Sequence, residues 1–258
     1  MSGKVVNQQE WIAASKVLLT KEKELMRAAD ALAAARRELP MVKVDKSYAF
    51  MNAVDASPAP TPIPLKDLFD GMDQLIVYHF MFGPDDKRGC RGCSHVAESL
   101  PDVRRLRDRR TQLVCVSRAT PDKLHSFKEK CGWTFPWYST AADPDNEFNR
   151  DFHVSIDQSG AETEEGDAPG PGTLFNFRTK DELAALGMKP YTGEYFGFSV
   201  FLKNEKGEIF HTYSTHGRGV ERVSATFALL DITPLGRQDT EMGPGGFRVK
   251  YEYEEDNV

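Results

Sequence analysis

Residues 74–106 constrain this chain more than any other stretch. They open with the apolar run Leu75-Ile76-Val77-Tyr78-His79-Phe80-Met81-Phe82 and pass through the turn-rich residues 83–89. Cys90-Arg91-Gly92-Cys93 follows, and then residues 94–106, which can form a helix. A buried strand, a loop, a Cys-x-x-Cys and a helix form the layout of a redox-active dithiol. The order has a chemical reason. The strand fixes the loop, and the helix N-terminus aims unpaired backbone N–H groups at the first sulfur. That partial positive charge favours the thiolate, which is the nucleophile in disulfide exchange. Lys87, Arg88 and Arg91 bring further positive charge.

The 258 residues suffice for one substantial domain with additions. The 40% hydrophobic fraction is that of a chain with a packed core. Residues 161–167 and 251–256 each hold four acidic side chains and no Lys or Arg. Without these eight the formal charge of -6 becomes +2. Such a near-neutral body gives no electrostatic footprint for nucleic acid, and the acidic runs read as solvated loop and tail. No stretch approaches the ~20 apolar residues that span a bilayer. The residues after Met1 lack the apolar segment of a signal peptide. With only four cysteines in the chain, the expected compartment is the reducing cytoplasm.

Along the chain, a long helix is expected over residues 8–38, capped near Asn7 and ended by Pro40. Trp11, Leu18, Leu25, Leu32 and Leu39 recur every seven residues, with Ile12, Leu19 and Met26 beside them. This stripe suits docking on the body or on a homodimer mate better than a long coiled coil. A strand is expected within residues 41–50, and the proline-rich residues 57–64 read as an extended connector. After the dithiol segment come a buried strand over 112–117, a helix opened by Thr120-Pro121, and an extended piece over 133–138. This strand–helix–strand–helix–strand alternation predicts an α/β fold with parallel pairing and right-handed crossovers. Most of residues 142–172 reads as a polar surface insertion. A short helix is expected over 179–186, an antiparallel hairpin over 197–214, and a closing helix over 219–230 with Val220, Val223, Phe227 and Leu230 on one side.

Several phrases resemble one bacterial family, domain-of-unknown-function 899, whose members are thioredoxin-like predicted dithiol-disulfide oxidoreductases. They include Glu22-Lys23-Glu24, Arg36-Arg37-Glu38-Leu39-Pro40, residues 74–84, Cys90-x-x-Cys93-Ser94 and residues 132–137. Residues 210–215, Leu229-Leu230-Asp231, Thr233-Pro234, Gly236 and Arg237 complete them. The resemblance implies a thioredoxin-like central sheet flanked by helices, with the long helix in front. The expected organisation is an N-terminal helix, short strand and connector in residues 1–64, a thioredoxin-like domain in 65–237 with an acidic insertion at about 157–172, and an acidic tail in 238–258. Two departures stand out. The acidic stretch at 157–172 is longer than the family pattern, and Gly197-Phe198-Ser199 stands where thioredoxin-like proteins usually carry a cis-proline before the strand facing the dithiol. Peroxiredoxins share Phe135-Pro136. Their Pro-x-x-x-Thr/Ser-x-x-Cys pattern fails here, with Gly83 and Lys87 before Cys90, and Asp86 and Cys90 before Cys93.

The expected chemistry is dithiol exchange. Cys90 attacks a disulfide or oxidised-sulfur substrate, and Cys93, one helical turn in, resolves the product. Electrons come from a cellular thiol reductant, and no organic cofactor is implied. Candidate lining residues are His79, Arg88, Arg91, Ser94, His95, Trp133, His211 and Tyr213. His79 shares a strand face with Leu75, Val77 and Met81, as a core histidine or as a proton acceptor beneath the dithiol. His211 and Tyr213 are expected on one face of the last strand. Two other readings stay open. One is a metal site of Cys90 and Cys93 with histidines such as His211 and His216; the other is a non-catalytic interaction module. Cys115 reads as a core residue.

Overall fold

The computed structural model describes residues 3–53, 61–156, 178, 180–189, 191–238 and 243–254. Much of the proline-rich connector, the acidic stretch at 157–172 and the end of the acidic tail lie outside the described residues.

Ten strands occur among the described residues: β1 (Val42–Lys43), β2 (Ala49–Asn52), β3 (Ile63–Pro64), β4 (Gln74–His79), β5 (Thr111–Ser117), β6 (Trp137–Ser139), β7 (Ser155–Ile156), β8 (Gly193–Glu194), β9 (Gly197–Lys203) and β10 (Ile209–His216). Eight of them form one sheet in the order β1-β10-β9-β4-β5-β6-β2-β3, and β7 pairs with β8. β4, β5 and β6 run parallel. β9 lies antiparallel against β4, and β10 returns antiparallel beside it. The α/β fold with parallel pairing at its centre is therefore present.

The crossover from β4 to β5 carries α2 (Arg91–Glu98) and α3 (Val103–Arg107); that from β5 to β6 carries α4 (Pro121–Cys131). The single helix expected over 94–106 is two helices, because Pro101 cannot donate to a continuing ladder and Asp102 caps a new start through the Arg104 N–H. α4 begins with Pro121 in its first turn and ends on Gly132 at φ +66°, a left-handed position that glycine adopts without strain.

Period-two alternation in β4 divides the core. Tyr78 faces α2 with Phe80, Phe82, Cys93, Val96, Cys115 and Trp137. Leu75 and Val77 face the other way, onto Phe50, Phe69, Val114, Val116 and Phe201. Part of the expected surface insertion belongs to this second layer. Helix α5 (Glu147–Asp151) supplies buried Phe148, and Phe152 and Val154 are buried just after it. Aromatic spacing on a short helix, inside a stretch rich in polar residues, gave little periodicity to read.

At the far end, α6 (Lys180–Ala185) and α7 (Ala225–Leu230) are short. The expected closing helix is a 3-10 segment (Gly217–Val223) followed by α7, restarted by the Ser224 side chain accepting from the Phe227 N–H. Val220 and Phe227 are buried, whereas Val223 is partly exposed. The last described helix, α8 (Lys250–Glu254), follows a 3-10 turn at Gly243–Gly246 that packs on α2.

Helix α1 (Gln8–Arg37) opens with a capping box: Asn7 Oδ1 accepts from Glu10 N–H, and Glu10 Oε2 accepts from Asn7 N–H. It has no buried residue, so its stripe does not dock on the body. Trp11, Leu18 and Leu25 are 57%, 56% and 71% exposed. At its C-terminal end Arg36 lies over the Tyr213 ring, 5.2 Å from the centroid.

The second core layer also holds imidazoles. Burial, with His216 and His211 nearby, lowers His79 to about 3, and burial lowers His216 to about 4. Both stay neutral in the fold, whereas the unfolded chain takes up their protons below ~6.5. More protons bound in the unfolded state means that stability rises with increasing pH through this range. The stability is fully present above ~6.5 and is lost as pH drops toward those lowered values, on the order of a few kcal/mol. Urea midpoints measured across this window should fall steeply, and less steeply in His79→Gln. An identical slope in that variant would remove His79 from the account.

Candidate active site

The dithiol sits where β4 ends. Cys90 occupies the N-cap position of α2, and Cys93 is the third helical residue, fully inside the core. At an N-cap, a serine or aspartate oxygen would accept from the second and third helical N–H groups. Here the Cys90 sulfur takes that place. The N–H groups of Gly92 and Cys93 face it without closing a capping bond of ordinary geometry, so their action is that of aligned dipoles on a charge.

Two bonds from one residue fix the pair. Cys90 N–H donates to Met81 O at 3.0 Å, and Met81 N–H donates to Cys93 Sγ at 3.4 Å. Ser94 reinforces the turn, its hydroxyl donating to Cys90 O at 3.0 Å. Gly89 is required by close approach. A Cβ there would stand 2.7 Å from Phe80 Cε1 and 2.9 Å from Phe127 Cε1, both ring atoms of the core.

The two sulfurs differ sharply in acidity. Cys90 is lowered to about 6, first by the Cys93 thiol donating to it and then by the backbone N–H groups, against the opposing cost of burial. Cys93 is pushed well above the ordinary thiol range by burial and by the neighbouring Cys90 charge. The two sulfurs thus favour opposite states, Cys90 the thiolate and Cys93 the thiol. The remaining cysteines are different. Cys115 is fully buried and raised by desolvation, and Cys131 is raised to about 12 by the same cause.

The arginines do not act as the sequence suggests. Arg88 and Arg91 both reach Glu252 Oε1, at 3.0 and 2.7 Å. The Cys90 charge is held by a thiol and by helix N–H groups rather than by free cations. Glu252 lies in the run expected to be a solvated tail. Instead, Val249 is buried, Lys250 N–H donates to Glu98 at 2.8 Å, and Pro244 and Gly245 lie against Gly92 at the dithiol. An acidic composition suggested a solvated tail, but it cannot show that two arginines wait to receive one of the carboxylates.

Of the expected lining residues, His79, His211 and Tyr213 are not at the sulfurs. His79 projects into the opposite layer, where it stacks near Phe148 and Phe152, and its Nε2 pairs with Ser199 Oγ at 2.9 Å. It is therefore not beneath the dithiol; Tyr78 is. A bulge between His211 and Tyr213 breaks the alternation of β10. His211 packs on Phe152 and Phe201, while Tyr213 lines the other face with Ile76 and Phe198. The expected sharing of one face is thus corrected. His95 is buried on α2, pairs with Ser224 Oγ at 2.7 Å and lies between Phe227 and Phe247. Trp133 packs with Phe80, Phe127 and Trp137.

The same geometry does not bring the residues of the metal alternative together. His211 lies across the sheet from Cys93, and His216 accompanies it toward His153. Among the described residues no group of three or more His, Cys, Asp or Glu side chains could hold a metal ion. Nor is any described helix long and apolar enough to cross a membrane. A cavity of about 460 Å³ opens beside α2 between His95, Tyr195, Arg218 and Phe227, and neither cysteine lines it.

Sequence reasoning missed Tyr78, Glu252 and a polar group formed by Arg118, Tyr191 and Glu194. Arg118 Nη1 lies 3.4 Å from Glu194 Oε1, and burial, then the Glu194 carboxylate, raise Tyr191. Only the position of Tyr78, directly before His79 in an alternating strand, could have been used; the others are remote in sequence.

The family DUF899, described as "Bacterial protein of unknown function", matches residues 1–253. No curated protein matches the chain. Among solved structures, peroxidoxin BcpB from Mycobacterium tuberculosis is 12% identical, covering 74% of this chain and 97% of its own, at a TM-score of 0.41. A bacterioferritin comigratory protein from Xanthomonas campestris is 18% identical, covering 74% and 93%, at 0.39. BsSco, of the Sco family of cytochrome c oxidase assembly proteins, is 10% identical, covering 72% and 96%, at 0.36. Likenesses this low leave the chemistry to the residues themselves.

Alkylation by iodoacetamide should proceed first at Cys90, with a midpoint near pH 6. Because the Cys93 thiol is the largest cause of that value, Cys93→Ala should move the midpoint up toward the ~8.5 of a free thiol. A midpoint that stays put in the variant would assign the effect to the helix N–H groups alone.

Proposed function

This chain belongs to the DUF899 family of bacterial proteins of unknown function, and we propose, from its own site, that it is a thiol–disulfide oxidoreductase with Cys90 as nucleophile and Cys93 as resolving thiol. The observation that carries this reading is the placement of two sulfurs one helical turn apart, Cys90 at the helix N-cap and Cys93 inside the core, which favours charge on the first and opposes it on the second. An inert structural pair has no need of such a difference.

The reaction follows from the two protonation states. The Cys90 thiolate attacks one sulfur of a substrate disulfide, the S–S bond breaks, and one substrate thiolate departs. A mixed disulfide between Cys90 and the other substrate half remains. Cys93 then loses its proton and attacks Cys90 Sγ, forming the Cys90–Cys93 disulfide and releasing the second substrate thiolate, which takes up a proton. The substrate is reduced by two electrons and the protein dithiol is oxidised by two. A cellular thiol restores the dithiol by the reverse exchange. Attack on another oxidised sulfur uses the same pair. Stabilising the Cys90 thiolate favours the reduced pair, as a lowered nucleophile pKa does in dithiol proteins generally. No residue in this scheme calls for an organic cofactor.

The exposed stripe on α1 supports a separate reading of assembly, a homodimer through that helix. Sedimentation of the full chain should then give twice the mass per particle expected of one chain, and deletion of residues 1–40 should return it to monomer. A monomeric full chain at all concentrations would end this reading.

Exposure to a small disulfide should leave Cys93→Ser carrying a stable, stoichiometric adduct on Cys90, visible as a mass increase, while the unmodified chain shows only transient adduct and ends with an internal disulfide. Cys90→Ser should form neither. Equal labelling of all three proteins, or none, would overturn the assignment.

A further inference from the structure

The resolving sulfur lies in an unfavourable place for the charge it must carry. Cys93 is fully buried, and its thiolate would be formed in an apolar layer among Phe80, Val96 and Trp137. A buried anion without donors is costly, so the second step needs something to receive it. One donor is already in position, the Met81 N–H at 3.4 Å from Cys93 Sγ.

A second group points the same way. The Tyr78 hydroxyl is wholly buried, and it has no hydrogen-bond partner of ordinary geometry among the described residues. It shares its buried layer with Cys93, and after burial the Cys93 sulfur is the group that most affects the hydroxyl. Its ring is held between Phe198, at a centroid distance of 4.8 Å, and Phe80, at 6.1 Å, so the hydroxyl cannot swing out to water. A buried hydroxyl without a partner costs free energy in the resting fold. That cost has a use if the partner arrives during the reaction.

We infer that Tyr78 is a catalytic residue of the resolving half-reaction, its hydroxyl donating to the Cys93 sulfur as that sulfur becomes a thiolate. This rests on the dithiol reading above. In the resting pair Cys93 is a thiol that donates to Cys90, and a neutral sulfur is a weak acceptor. Once Cys90 is bound in a mixed disulfide, Cys93 loses that acceptor and must shed its proton. The Tyr78 O–H and Met81 N–H then converge on the forming thiolate. An interaction that strengthens only as charge develops lowers the barrier instead of merely tightening the resting state. Tyr78 itself remains protonated throughout, because burial pushes its hydroxyl further above the ordinary phenol range. It is a donor and not a base; the Cys93 proton leaves with the departing thiolate or to solvent.

The test separates the two steps on one trace. Fully reduced protein is mixed with the chromogenic disulfide dithionitrobenzoate, and release of thionitrobenzoate is followed by stopped flow. The first equivalent reports attack by Cys90, and the second reports attack by Cys93 on the mixed disulfide. Cys115 and Cys131 are buried and should not compete. Tyr78→Phe should leave the first phase unchanged and slow the second on the order of 10- to 100-fold, the loss of one hydrogen bond to a charged group. Tyr78→His, which returns a ring donor, should recover part of that loss. If Tyr78→Phe does not fold, Tyr78→His against Tyr78→Leu gives the same comparison of donor with no donor.

An unchanged second phase would overturn the inference. So would an equal slowing of both phases, since that marks a structural role. A missing first phase in the unmodified protein would instead sink the dithiol reading itself, and the Tyr78 inference with it.

Discussion

Met81 holds both members of the dithiol. Its carbonyl accepts the Cys90 N–H and its N–H donates to the Cys93 sulfur, at 3.0 and 3.4 Å. The residue lies two positions beyond β4, whose backbone is paired on both sides, to β5 in parallel and to β9 antiparallel. A strand so held cannot shift its register without exchanging its two buried faces. The sulfurs thereby inherit the rigidity of the sheet. Phe80 extends the frame. Its N–H donates to Val116 O, and its carbonyl accepts from the Ser117 hydroxyl at 2.7 Å, which in turn accepts from Trp137 Nε1 at 3.0 Å. Three adjacent strands are thus tied together directly beneath the site.

From this frame the asymmetry of the sulfurs follows. Cys90, at a helix N-terminus, faces N–H groups and a thiol donor; Cys93, one turn later, is inside the apolar layer. A single helical turn moves a sulfur from a place that favours charge to one that opposes it. The same turn keeps the two within reach of each other. Charge is managed by dipoles and by donors that take no counter-ion. The nearby arginines are engaged by Glu252, so the C-terminal segment is fastened at the edge of the site.

Strand alternation explains what could and could not be read at the single-residue level. His79 shares the face of Leu75 and Val77, as alternation predicts, and that face is turned away from the dithiol; Met81, expected beside them, lies beyond the strand's end and packs instead with the layer of Tyr78 and Cys93. Which face of a central strand meets the following helix is not written in the strand itself. In β10 even the alternation misleads, because one bulged residue sends His211 and Tyr213 to opposite sides. Pro101 and Asp102, by contrast, carried a legible stop and cap that divide α2 from α3.

The sequence by itself determined the order of the central strands and helices, the position of Cys90 at a helix start, the capped helix α1 and the terminal hairpin. These depend on apolar periodicity, proline, glycine and cap residues, all of which act over a few residues. Tertiary structure alone decided which groups surround the sulfurs. Tyr78 meets Cys93 because a β-α turn folds back on its own strand. Glu252 meets Arg91 across 161 positions of chain, and Phe148 enters a core from a stretch that reads as surface. Such meetings are set by how layers pack, and no local pattern in the chain encodes the partner at the far side of the contact.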